Sequence, residues 1–175
     1  MCAARRFLTA FVLLWGLVQC VAAQGVYSVA GAWLDDQERA FSFDGLAGSY
    51  TVVTMAYGAC RRVCSTSLRV VKGLHELARE RRVPLNFVIV GLDPAEDKPA
   101  DWARFRAEQK LMFGNIQFVT GSESATRQIA AQLGVHYWRY GEHVMHDFRI
   151  VLLSPRGKVL RAMEAFDDDP ALLLP

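Results

Sequence analysis

The sequence predicts an α/β domain with a mixed central sheet and flanking helices, and three observations carry the prediction. An apolar, β-branched run at residues 50–57 is followed by a helical pattern and then by a second, almost continuous apolar run at 85–92. Strand, helix and strand in that order make a βαβ unit, and a run that is apolar on both faces suits a parallel strand buried on both sides. Two later β-type runs, 143–153 and 158–165, meet across Pro155-Arg156-Gly157, a hairpin-like turn. A parallel half followed by an antiparallel hairpin is the order of a thioredoxin-like domain.

The remaining elements follow in chain order. Residues 26–48 read as short strands and turns, with Asp35-Asp36-Gln37 and Phe43-Asp44-Gly45 as turn signals. Gly58 turns the chain out of the first long strand. A helix is predicted from Ser65 to about Arg82, its apolar positions Leu68, Val71, Leu74, Leu77 and Ala78 recurring every three or four residues. Asp93-Pro94-Ala95-Glu96-Asp97 breaks the second strand, and a helix over 100–111 carries Trp102 and Phe105. A strand at 115–120 and a helix to Leu133, closed by Gly134 as C-cap, complete the order. The tail from Asp167 supports at most a short final helix.

Length and charge bound the function. A chain of 175 residues, 52% hydrophobic and without repeats, supports one domain with a full core. The net charge of +2 comes from arginines scattered beside acidic residues. No basic stripe forms, and a nucleic-acid partner is not expected. The N-terminus has the pattern of a signal peptide over 1–23: Arg5 and Arg6, the apolar stretch from Phe7 to Val18, and the small residues Val21-Ala22-Ala23 before Gln24. The expectation is export to the periplasm, with 24–175 as a single monomeric domain. The alternative is a retained anchor, against which the stretch is short of the ~20 residues a membrane span needs.

Removing that leader removes Cys2 and Cys20 and leaves Cys60 and Cys64, one helical turn apart and directly after a strand. Near a helix N-terminus, unpaired amides and the dipole favour thiolate over thiol, and Arg61 and Arg62 act in the same direction. Such a pair suits soft-metal or redox chemistry. As a structural disulfide it would close only a few residues and constrain the unfolded chain little.

With these residues assembled, the chain resembles the Sco/SenC family, thioredoxin-fold copper proteins that help mature the dinuclear copper centre of cytochrome c oxidase. The resemblance runs from about Trp33 to Ala165. It rests on Tyr57 through Cys64, on Asp93 through Asp97, on Phe118-Val119-Thr120-Gly121, and on His146 leading into Ile150 through Gly157. It implies copper ligands at Cys60, Cys64 and His146, a set that suits Cu(I) and accepts Cu(II). The chain departs from the family in having Arg61 and Ser65 where a proline usually follows each cysteine. Arg61 favours thiolate yet repels a cation.

The resemblance implies a non-enzymatic chaperone that delivers copper to a cuproprotein, with cytochrome c oxidase subunit II as the expected client. The competing reading is a thiol–disulfide oxidoreductase in which Cys60 and Cys64 are the catalytic redox pair, served by a thioredoxin-like reductant. His146 discriminates between them, because thiol exchange needs no third ligand. His143 is an auxiliary or replacement ligand, His136 lies in the same segment, and His75 reads as an exposed helical residue. Either Asp93 or Asp97 reads as the cap of the following helix and the stabiliser of the turn around Pro94, Tyr57 as packing under the cysteine loop, and Trp138 and Tyr140 as core, with a cover over the site or a partner contact as their alternative.

Overall fold

The computed structural model describes residues 25–58 and 63–175, with 63–65 described by backbone alone. The leader expected at 1–23, together with Cys60 and Arg61, lies outside the described residues. The chain opens with β1 (Trp33–Asp35) and β2 (Ala40–Phe41), then β3 (Thr51–Ala56), α1 (Val63–Glu80), β4 (Asn86–Gly91) and α2 (Pro99–Glu108). It continues with β5 (Ile116–Thr120), α3 (Glu123–Leu133), β6 (Tyr137–Tyr140), β7 (His143–His146), β8 (Ile150–Leu153) and β9 (Val159–Met163).

Seven strands form one sheet in the order β2-β1-β5-β4-β3-β8-β9. β3, β4 and β5 are parallel neighbours, while β1, β8 and β9 join antiparallel. This is the predicted mixed sheet of a thioredoxin-like domain. Every residue of β3 is buried, as a strand covered on both faces requires. Alternation along it divides the core. Val53, Met55 and Tyr57 pack with Ala125, Ile129 and Leu133 of α3, whereas Val52 and Ala56 pack with Leu68, Val71 and Leu74 of α1 and with Trp102 of α2. Among the described residues no helix is long and apolar enough to cross a membrane.

Local chemistry sets the helix ends. The Ser122 hydroxyl accepts the Ala125 amide at 3.2 Å at the start of α3, and Gly134, at φ +70°, closes it as predicted. α1 stops because Arg82 turns left-handed at φ +56°, letting the Val83 amide reach the Ala78 carbonyl at 2.8 Å.

The predicted strand over 143–153 is two strands. β7 pairs with β6 in a separate two-stranded sheet, and Asp147-Phe148-Arg149 leads from it to β8 in the main sheet. The tail is more than a loose end: Asp169 caps a 3-10 turn over Pro170–Leu173, and Leu173 and Leu174 are buried on the α1 side of the sheet.

Candidate metal centre

β3 delivers Tyr57 and Gly58 to the carboxyl edge of the parallel strands, where open α/β sheets bind their ligands. The backbone of Cys64 lies in the first turn of α1.

The loop after β4 is built around Asp97. Its carboxylate is buried; Oδ1 accepts the Gly58 amide at 2.7 Å and Oδ2 the Asp93 amide at 2.9 Å. The Asp97 carbonyl accepts from the Thr120 hydroxyl, which in turn accepts from Trp102 Nε1 at 2.9 Å. Burial pushes the Asp97 carboxyl up to about 7, against the pull of the two amides and with the help of the charges on Asp93 and Asp101. Neither aspartate caps α2. The N-cap position is Lys98, without a side-chain bond, and Pro99 begins the helix with no N–H to satisfy. Asp93 does stabilise the turn at Pro94, its Oδ1 accepting the Ala95 amide at 3.3 Å. The same atom accepts Arg139 Nη2 at 2.7 Å.

Arg139 belongs to the hairpin that carries His146. Gly141 and Glu142 make its two-residue turn, Gly141 at φ +60°, and the register pairs Tyr137 with His146, Trp138 with Met145, Arg139 with Val144 and Tyr140 with His143. His146 therefore ends a short arm and does not open a long strand beside β3. An isolated hairpin is marginal in water, so other contacts must hold it. Val144 is buried in the core, Arg139 reaches Asp93, and Asp147 clasps the open end. The Asp147 carboxylate accepts the His136 amide at 3.1 Å and His136 Nδ1 at 2.8 Å, which holds its pKa below the ordinary carboxylate value.

That clasp orients His146. Its Nδ1 lies 2.8 Å from the Asp147 carbonyl, which can only accept, so Nδ1 carries the proton and the ring lone pair is on Nε2. This is the arrangement in which histidine binds metals. The other histidines differ. His143 Nδ1 lies 3.4 Å from the Tyr57 hydroxyl, and His136 is committed to Asp147. His75 is not an exposed helical residue: its ring stacks on Phe113 with centroids 3.7 Å apart and interplanar angle 5°. Tyr57 packs in the core, while the cysteine loop it was expected to underlie falls outside the described residues, and Trp138 and Tyr140 are exposed. A cleft of about 570 Å³, lined by Asp93, Tyr137, Arg139 and Val144 among others, separates the hairpin from the β4–α2 loop. Among the described residues no three His, Cys, Asp or Glu side chains gather as a metal site.

The family model described as SCO1/SenC matches residues 28–173. The chain belongs to the SCO1/SenC family. It is 24% identical over 133 residues to a SCO1 protein homolog of Bacillus subtilis, covering 74% of this chain and 69% of that protein. Its fold is similar to that of Arabidopsis thaliana ScoI, solved with copper bound, at a TM-score of 0.71, with 18% identity over 81% of this chain and 88% of that one. It is also similar to BsSco, a Sco-family cytochrome c oxidase assembly protein with an identified disulfide switch, at a TM-score of 0.69 and 21% identity, covering 78% of this chain and 81% of that one.

On this SCO1/SenC scaffold, sequence reasoning missed Arg139 and Asp147, the residues that fix the hairpin. A signal was present. Tyr137–Tyr140 and His143–His146 are two β-prone tetrads flanking Gly141-Glu142, a two-residue hairpin pattern hidden by reading His143 through Leu153 as one strand.

Proposed function

We propose that this SCO1/SenC protein is a copper chaperone that holds the ion through Cys60, Cys64 and His146 and passes it by ligand exchange to a cuproprotein. The reading extends to export into the periplasm and to subunit II of cytochrome c oxidase as client. The observation that carries it is the His146 ring, whose Nδ1 proton is committed to the Asp147 carbonyl at 2.8 Å and whose lone pair is therefore on Nε2. A pure thiol exchanger has no use for that preparation. Two thiolates and an imidazole make a soft, low-coordinate set that suits Cu(I).

The residues around the site position its parts. Asp97 holds the backbone at Gly58, two residues before Cys60, and Arg139 through Asp93 holds the arm that bears His146. Both cysteines must be reduced to act as ligands, so thiol oxidation gates loading. Because the same thiols could instead serve a disulfide exchange, transfer is the informative test. The copper-loaded chain is mixed with the apo copper domain of an oxidase subunit II, the two are separated, and copper and free thiols are counted on each. Movement of copper with both cysteines still reduced supports the chaperone. Reduction of a client disulfide at the expense of Cys60 and Cys64, with no copper moved, contradicts it and identifies an oxidoreductase.

A further inference from the structure

The β6–β7 hairpin has two faces, and the proposed centre uses one of them. Val144 and His146 lie on one face of β7, opposite Arg139 and Tyr137. His143 and Met145 lie on the other, opposite Tyr140 and Trp138. Val144 enters the core, but on the second face Trp138 is 53% exposed, Met145 45% and Tyr140 74%. Trp33 and Trp102, by contrast, are buried. Packing does not account for an exposed tryptophan directly across from an exposed methionine, with a histidine two residues from that methionine.

We propose that this outer face is a second soft-metal site, in which the His143 imidazole and the Met145 thioether hold a monovalent copper ion against the Trp138 ring. The proposal rests on the copper-handling reading above and adds to it an entry site for the ion. Residues two apart on a strand are about 7 Å apart along it and point the same way, so one ion can bridge an imidazole and a thioether. Thioether and imidazole select Cu(I) over hard cations, and an indole face within reach of a cation adds attraction. His143 Nδ1 is directed at the Tyr57 hydroxyl 3.4 Å away, and in the tautomer in which Nδ1–H donates to that oxygen the lone pair offered to a ligand is on Nε2. Tyr57 itself precedes Cys60 by three residues, so the outer site and the cysteine loop share an anchor. Both outer ligands are neutral, whereas Cys60 and Cys64 bind as thiolates. An ion captured on the hairpin therefore moves toward tighter binding as it passes to them, with no change in oxidation state.

The test removes the thiols. In the full chain with Cys2, Cys20, Cys60 and Cys64 all changed to Ser, Ag(I) is titrated as a redox-inert soft probe while tryptophan emission is followed, and Cu(I) is then used under anaerobic conditions. The expected result is saturable quenching that disappears in Trp138→Phe. Its midpoint weakens about tenfold or more in Met145→Leu and in His143→Gln, but stays in place in His146→Ala. Circular dichroism of each variant separates loss of the site from loss of the fold. An unmoved midpoint in both Met145→Leu and His143→Gln, or no quenching at all, would overturn the proposal. Failure of the native chain to retain copper, with quenching intact, would instead overturn the chaperone reading and leave the hairpin site standing.

Discussion

Asp97 Oδ1 accepts the backbone amide of Gly58 at 2.7 Å, bonding the loop after β4 to the segment that leads into Cys60. Its other oxygen takes the Asp93 amide, and Asp93 takes Arg139 on the hairpin. Two aspartates thus hold both the cysteine segment and the histidine arm in place from the β4–α2 loop.

The Asp97 carboxyl gives this link a pH dependence. Its folded pKa, about 7, is raised by burial above the ordinary aspartate value of 3.8. The folded state therefore holds the Asp97 proton more tightly, a contribution fully present below pH 4 that is lost as pH rises through 7. Urea melts of the reduced chain should show this contribution falling with rising pH across the window from 4 to 7. In Asp97→Asn that part of the slope should vanish. Asn should also lower stability by about 1–3 kcal/mol, because its NH₂ then faces the Asp93 N–H or the Gly58 N–H. An unchanged pH profile in the variant would contradict the assignment.

Arg139→Ala should loosen the hairpin more than the fold. Asp93 is buried and would keep only the weaker Ala95 amide, at a cost of about 1–3 kcal/mol. Hydrogen exchange is the readout: amides from Tyr137 to His146 should exchange faster, while those of β3 and β4 stay protected. Equal exchange in native and variant hairpins would show that Val144 and Asp147 suffice.

Arg106 tests the far side of the sheet. Its guanidinium bonds Asp36 at 2.8 Å, the Leu111 carbonyl at 2.9 Å and the Phe113 carbonyl at 2.8 Å, with 12% of the Arg106 side chain and 5% of the Asp36 side chain exposed. Arg106→Ala strands a buried carboxylate and should cost about 3–5 kcal/mol in denaturant melts. A loss below about 1 kcal/mol, as for a surface pair, would contradict this account.

Gly121 follows β5 beside Trp33. A Cβ there would sit 2.6 Å from the indole atoms Cε3 and Cζ3, and the Trp33 ring is buried and packed edge-on against Phe43. Gly121→Ala should destabilise the domain by about 1–3 kcal/mol through overpacking, read as a lower Tm. An unchanged Tm would mean that Trp33 can move aside.

The strands and helices flanking the cysteines were legible because burial on both faces leaves a continuous apolar run, as in β3 and β4, and burial on one face leaves the helical period of α1. Gly134 was legible for the same kind of reason, since few other residues take φ +70° at a helix end. What stayed hidden was long-range. Nothing local in Asp97 says that its carboxylate turns back to Gly58, 39 residues earlier, rather than forward to cap α2. His75 read as exposed because its helix position gives no hint of Phe113, and Trp138 and Tyr140 read as core because most aromatics are. Their exposure on a separate hairpin is decided by tertiary placement alone.

Copper retention tests the central claim most directly. The chain with Cys2 and Cys20 changed to Ser is reduced anaerobically, reconstituted with copper and desalted, and its metal content is compared with that of the same protein carrying His146→Ala. One copper per chain in the first and clear loss in the second is the predicted result. Equal copper in both would contradict the role given to His146, and none in either would leave Cys60 and Cys64 as a redox pair.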